Sequence, residues 1–172
     1  NKTIGAYNDY DHDQMKAIVE SGEYVPSYMW NQNGWLASKL GLHIVSQTQK
    51  CIPTTYPEDL YSSTLGRVIP AGQATGMKAI VTTTTEEGIT LETACVGKVY
   101  SKDEYDINQW TLQGEPDSTL ICNKPATVEL TCGTIINRIP QLIDAPSGYI
   151  TTDQYPYNLY CIKDLNEYVT SK

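Results

Sequence analysis

The apolar positions change their spacing three times along the chain. From Asp11 to Glu20 they recur at helical intervals, with Met15, Ile18 and Val19 on one stripe. Asp11 is a capping residue, Gln14 completes a capping box three positions later, and Gly22 stops the helix. A second helix is predicted from about Ser27 to Leu40. Pro26 precedes it, Trp35, Leu36 and Leu40 form its stripe, and Gly41 follows it, although Gly34 weakens its interior.

The spacing then becomes that of strands. "GLHIVSQTQKCI", "ATGMKAIVTTTT" and "ITLETACVGKVY" are rich in Thr, Val and Ile, and Glu86-Glu87-Gly88 between the last two signals a hairpin. "DEYDINQWTLQG" alternates imperfectly through Tyr105, Ile107, Trp110 and Leu112, turns at Gly114-Glu115-Pro116, and leads to the short strand "STLICN". Helical spacing returns from about Ala126, with Val128, Leu130, Ile135, Ile136 and Ile139 as bulk. Pro140 is expected to end that helix or start a new turn, because it has no N–H to donate. The Pro146-Ser147-Gly148 turn and an extended tail follow. The layout predicts an α+β fold: a mostly antiparallel or mixed open sheet with helices packed on one face.

Composition adds exclusions. A net charge of −8 with no Lys/Arg cluster argues against a nucleic-acid partner. No stretch reaches membrane length and no signal peptide opens the chain. Cys51, Cys95, Cys122, Cys132 and Cys161 are odd in number and widely spaced, so they read as small buried hydrophobes in a reducing, cytoplasmic setting. The chain has thirteen Tyr, three Trp and no Phe, for which composition offers no physical reason.

Reactive chemistry is scarce. No Gly-x-Gly-x-x-Gly follows a strand, no Gly-x-x-x-x-Gly-Lys occurs, and no metal-binding cysteine pair is present. His12 lies beside Asp11 and Asp13, but neighbours on a helix do not face one another. For His12 and His43 a solvated or structural role outweighs catalysis. Glu86 and Glu87 fit a solvated turn, and Ser147 has no base beside it. Thr131 sits among small residues on the long helix, where a ligand or another surface can approach closely. Asn137 and Arg138, just before Pro140, can satisfy carbonyls at a helix end or offer donors to a ligand. Trp30 and Trp35, with Tyr24 and Tyr28, can line a pocket or simply be core.

The ordered succession of motifs is more specific than any one of them. "VIPAGQATGM" leads into a long hairpin. "WTLQGEP", a helix with Thr131, "NRIP" and "APSGYITTDQYP" follow in turn. This succession resembles the C-terminal domain of the 2,4-diaminopentanoate dehydrogenase family, within the dihydrodipicolinate-reductase-like dehydrogenases. The resemblance implies that residues 1–172 form one substrate-binding and oligomerisation domain. A preceding Rossmann domain, absent from this chain, would hold NAD or NADP. It also implies an amino acid substrate, a homodimer, and substrate contacts from Thr131, Asn137 and Arg138, with Trp30 and Asn31 as further candidates.

There are departures. Lys124-Pro125-Ala126-Thr127-Val128 replaces the family's His-Gly-Asp run, and "PSYMWNQ" replaces the usual start of the second helix. Asp144-Ala145-Pro146-Ser147-Gly148 matches a dihydrodipicolinate reductase motif, but Tyr149 follows it. Arg138 to Leu142 stand where that enzyme carries its His and Lys. Two alternatives therefore stand beside the amine-oxidising reading: a dihydrodipicolinate-reductase-like enzyme and a non-catalytic binding or assembly module.

Overall fold

Asp11 begins the described part of the chain by capping a helix. Its carboxylate accepts from the Gln14 N–H at 2.8 Å, and its own N–H donates to Gln14 Oε1 at 3.0 Å. The computed structural model describes residues 11–21, 28–155 and 159–169; the predicted stop at Gly22 and the side chain of Tyr24 lie outside them. The capped helix is α1 (His12–Glu20), and α2 spans Tyr28–Leu40. Strands β1 (Ile44–Thr55), β2 (Leu60–Ser62), β3 (Arg67–Ile69), β4 (Ala74–Thr85) and β5 (Thr90–Lys98) complete a first compact unit ending at Asp103. The second unit, from Glu104, holds β6 (Ile107–Leu112), β7 (Ser118–Asn123), α3 (Thr127–Ile143) and the short α4 (Asn166–Val169).

In the first unit β4 is the centre of a three-stranded antiparallel sheet, in the order β1-β4-β5. Val81 lies opposite Gln49 on one side and Thr93 on the other. Strand alternation sends Met77, Ala79, Val81 and Thr83 to one face, where all four are buried, while Lys78, Ile80 and Thr82 point to the other. The helices pack on the first of these faces. Met15 of α1 clusters with Ala74 and Met77, and Ile18, Val19 and Cys51 lie around them.

Two glycines shape the start of β4. Gly72, at φ +79°, turns the chain into β4. Gly76 is required by space: a Cβ there would lie 2.1 Å from the Gly97 carbonyl oxygen and 2.5 Å from the Lys98 Cα. The Gly-x-x-x-Gly spacing inside "VIPAGQATGM" thus marks a turn and a close backbone approach. The small ribbon β2–β3, paired from Leu60–Ile69 to Ser62–Arg67, was not anticipated, because strands of three residues leave too short a pattern to detect.

In the second unit β6 and β7 form a separate antiparallel ribbon, with Trp110 opposite Leu120. Two expectations are corrected. Pro140 does not end the long helix: α3 continues through it to Ile143, and Pro140 is buried within it. The ring's fixed φ suits helical backbone, and its cost is the hydrogen bond that the missing N–H cannot make. In α2 the buried face is Asn33 and Ala37, spaced i, i+4, while Leu40 is 61% exposed. Its apolar residues did not mark the buried stripe because a polar side chain occupies the centre.

Candidate functional site

The best-defined polar cluster lies between α2 and the sheet. Asn33 is fully buried, at 0% exposure. Its Nδ2 donates to the Val81 carbonyl at 3.2 Å, the Thr83 hydroxyl at 2.9 Å and the Leu91 carbonyl at 3.2 Å. The Thr93 hydroxyl donates back to Asn33 Oδ1 at 2.8 Å. Gln47 Nε2 donates to Thr83 Oγ1 at 2.9 Å, and Trp30 Nε1 donates to Gln49 Oε1 at 2.7 Å. One buried amide is thus tied to strands β4 and β5, and one indole to β1. A buried polar group costs little only when its partners are all present, as they are for Asn33. The arrangement fixes the rotation of α2 on the sheet. Trp30 is half-buried by it, and Asn31, one residue on, is exposed.

The other candidates lie on α3. The Thr131 side chain is exposed, and its hydroxyl donates at 2.8 Å to the Thr127 carbonyl one turn earlier. Asn137 and Arg138 are half-buried in the helix interior rather than at its end, so the carbonyl-capping role expected for them is replaced. Asn137 Oδ1 accepts the Cys161 N–H at 2.8 Å, and Arg138 donates to Gln141 Oε1 at 3.1 Å while its guanidinium lies 5.3 Å from the centre of the Tyr155 ring. Asn137 and Arg138 hold two points of the tail against α3. Trp30 and Asn31 belong to the first unit, and Thr131, Asn137 and Arg138 to the second.

Two readings of charged residues change. His12 Nδ1 lies 3.0 Å from Asp13 Oδ1, so adjacent helical residues do meet here through an exposed side-chain contact. Glu87 is more than a solvated turn residue. Its carboxylate accepts the His43 N–H at 3.2 and 3.0 Å, and one oxygen lies 2.6 Å from His43 Nδ1. The pair closes the β4–β5 turn onto the start of β1. The side-chain hydrogen bond to Glu87, then attraction to Glu87 and Glu86, raises the His43 pKa. Bonding to His43 lowers Glu87 to about 2. Burial raises the Cys51 and Cys95 thiols, and all five cysteines are free. Among the described residues no cluster of three or more His, Cys, Asp or Glu could hold a metal, and no helix is long and apolar enough to cross a membrane.

The chain shares its fold with part of an amine dehydrogenase. The enzyme, from Mycobacterium smegmatis, superposes with a TM-score of 0.79 at 32% identity, over 88% of this chain and 45% of its own. The chain therefore spans less than half the length of that protein. No family model matches the chain, and no curated protein matches it in sequence. The superposed stretch is long enough to include elements of both units.

The sequence-based reading missed Asn33, the residue with the most buried polar contacts. The available signal was an amide four residues before Ala37 on a helix, with Thr at alternating positions of the strands that follow.

Proposed function

We propose that the chain is the substrate-side domain of an NAD(P)-dependent oxidoreductase that oxidises an amine-bearing carbon to an imine or ketone. Its substrate would be 2,4-diaminopentanoate or a similar amino acid, and the enzyme would work as a homodimer. The observation that carries this reading is the 32% identity to an amine dehydrogenase across 88% of the chain.

The residues present do not fit a dinucleotide. A pyrophosphate cradle needs a glycine-rich turn between a strand and a helix in a parallel βαβ unit. Every described strand pair here is antiparallel, and the fingerprint is missing. The nucleotide is therefore assigned to a part of the enzyme outside these residues, where it would accept the hydride. The present chain contributes shape and polar contacts. Thr131, Asn137 and Arg138 are the proposed substrate-side residues. Thr131 is the most accessible of the three, while Asn137 and Arg138 act by setting the path of the tail. Trp30 and Asn31 are carried as further candidates on α2.

The test is to measure reduction of NAD+ and NADP+ by the intact gene product across simple amines, monoamino acids and 2,4-diaminopentanoate. Amine-dependent reduction is the expected result, with Thr131→Val raising KM more than it lowers kcat. No reduction with any amine would overturn the proposal. One observation favours a second reading, that of a non-catalytic assembly module: Thr131, Asn137 and Arg138 all have partners within the chain. Tight binding of NADP+ to the 172-residue chain alone, measured by calorimetry, would contradict both.

A further inference from the structure

Asn33 is followed by Gly34, and no other Asn in the chain precedes a glycine. The pair ordinarily belongs to tight turns. Here it lies inside α2. Its chemistry sets it apart, because a glycine leaves the backbone nitrogen after the Asn unshielded. That nitrogen can attack the Asn Cγ. A new C–N bond forms, the bond from Cγ to Nδ2 breaks, and the side-chain nitrogen leaves as ammonia with the proton given up by the attacking amide. Water then opens the five-membered imide at either carbonyl, giving aspartate or isoaspartate. No oxidant or reductant takes part.

The fold holds the pair unreactive in two ways. The Asn33 side chain is fully buried, with Nδ2 donating to the Val81 and Leu91 carbonyls and the Thr83 hydroxyl, and Oδ1 accepting from Thr93. An N–H in the interior of an α-helix donates to the carbonyl four residues back, and helical backbone holds the Gly34 nitrogen off the Asn33 Cγ. Packing does not call for the glycine. A Cβ at position 34 would meet nothing within 4 Å, and glycine is costly in a helix interior.

We propose that Asn33-Gly34 is a site of spontaneous imide formation, closed while α2 is seated on the sheet and irreversible once it has reacted. The reaction requires α2 to lift, which releases the Asn33 side chain and frees the Gly34 nitrogen. The product does not fit back. A carboxylate oxygen in place of Nδ2 has no proton to give, so the Val81 and Leu91 carbonyls lose their donor and face a buried charge. Isoaspartate also adds a carbon to the main chain inside the helix and breaks its hydrogen-bond register. Opening of α2 is thus converted into a permanent change at the centre of the first unit. The site belongs to the fold of that unit and is independent of the amine chemistry.

Peptide mapping by mass spectrometry of the 172-residue chain, incubated in mildly alkaline buffer with and without denaturant, reads the rate at Asn33. In denaturant Asn33 should react faster than every other Asn. Without it the rate follows the population of the open state, because opening and closing are fast beside imide formation, and should be at least about a hundredfold lower. Thr93→Val removes the donor to Asn33 Oδ1 and should speed the native reaction about tenfold, as expected for one lost buried hydrogen bond, with the rate in denaturant unchanged. Gly34→Ala should slow the reaction in denaturant, where only the missing side chain matters. Asn33→Asp imposes the product's charge directly and should lower the denaturant midpoint. Equal rates at Asn33 with and without denaturant, a Thr93→Val chain that reacts no faster than the wild type, a Gly34→Ala chain that reacts as fast in denaturant, or an Asn33→Asp chain as resistant to denaturant as the wild type would overturn the proposal.

Discussion

The two units solve the problem of burying a sheet in opposite ways. In the first, α1 and α2 cover one face of β1-β4-β5, and Met15, Ala37, Met77, Ala79 and Val81 disappear from solvent. In the second, only Pro140 and Tyr155 are buried among the described residues, while Leu112, Leu120, Ile135 and Leu142 stay more than half exposed. Both carry comparable apolar residues, so hydrophobicity does not separate them. The difference is whether the chain supplies the opposing layer. An amphipathic element gains most of its stability from the surface it covers. The first unit contains that surface, and the second presents its apolar faces outward.

This contrast predicts where substitutions hurt. The largest effect belongs to Gly76→Ala, whose methyl has no room against Gly97 and Lys98. It should cost about 3 kcal/mol or more in chemical denaturation, by forcing the β4–β5 strands apart. A near-neutral result would mean that the hairpin is loose and that the first unit is less self-contained than described. Next comes Asn33→Ala, which removes the acceptor of the Thr93 hydroxyl and one of the two donors to the Thr83 hydroxyl, leaving Gln47 on the latter. We expect a loss of about 2 kcal/mol. By contrast, Leu120→Lys on the second unit should change monomer stability by less than about 0.5 kcal/mol, as for other exposed positions.

Smaller effects sharpen the comparison from the other side. A Cβ at Gly34 would meet nothing within 4 Å. Gly34→Ala should therefore stabilise the first unit by about 0.5–1 kcal/mol, the ordinary helix-interior gain. The His43–Glu87 clasp is exposed and should be the weakest, and it carries a pH signature. Glu87 is held at about 2, below its ordinary 4.5, so its contribution is complete above pH 4.5 and fades as pH falls toward 2. His43 is raised above 6.5, so its contribution is complete below pH 6.5 and fades as pH climbs through the raised value. The stability gap between wild type and His43→Gln should be widest between pH 4.5 and 6.5 and shrink on either side.

Much of the fold could be read from residue patterns. The Asp11 capping box, the β4–β5 hairpin and the α+β arrangement follow from local chemistry that acts within a few residues. What escaped depends on contacts distant in sequence. Asn33 joins strands 48 to 60 residues away, so its role depends on how the sheet is ordered. Pro140 resembles a stop signal, yet a helix can keep one missing bond when the ring itself is buried. The candidate residues were legible only as residue types on helices, without their contacts. Asn137 and Arg138 read as polar groups near a helix end; Gln141 lies one turn on from Arg138, as helix spacing allows, but Cys161 and Tyr155 lie in the tail, and no spacing rule connects those.

The first unit completes its own packing, while among the described residues the second leaves Leu112, Leu120, Ile135 and Leu142 exposed. Amide hydrogen exchange of the chain tests this contrast most directly. β4 amides are expected to exchange only by global unfolding, while β6 and β7 amides, in a two-stranded ribbon exposed throughout, exchange much faster. Protection in β6 and β7 equal to that in β4 would contradict it.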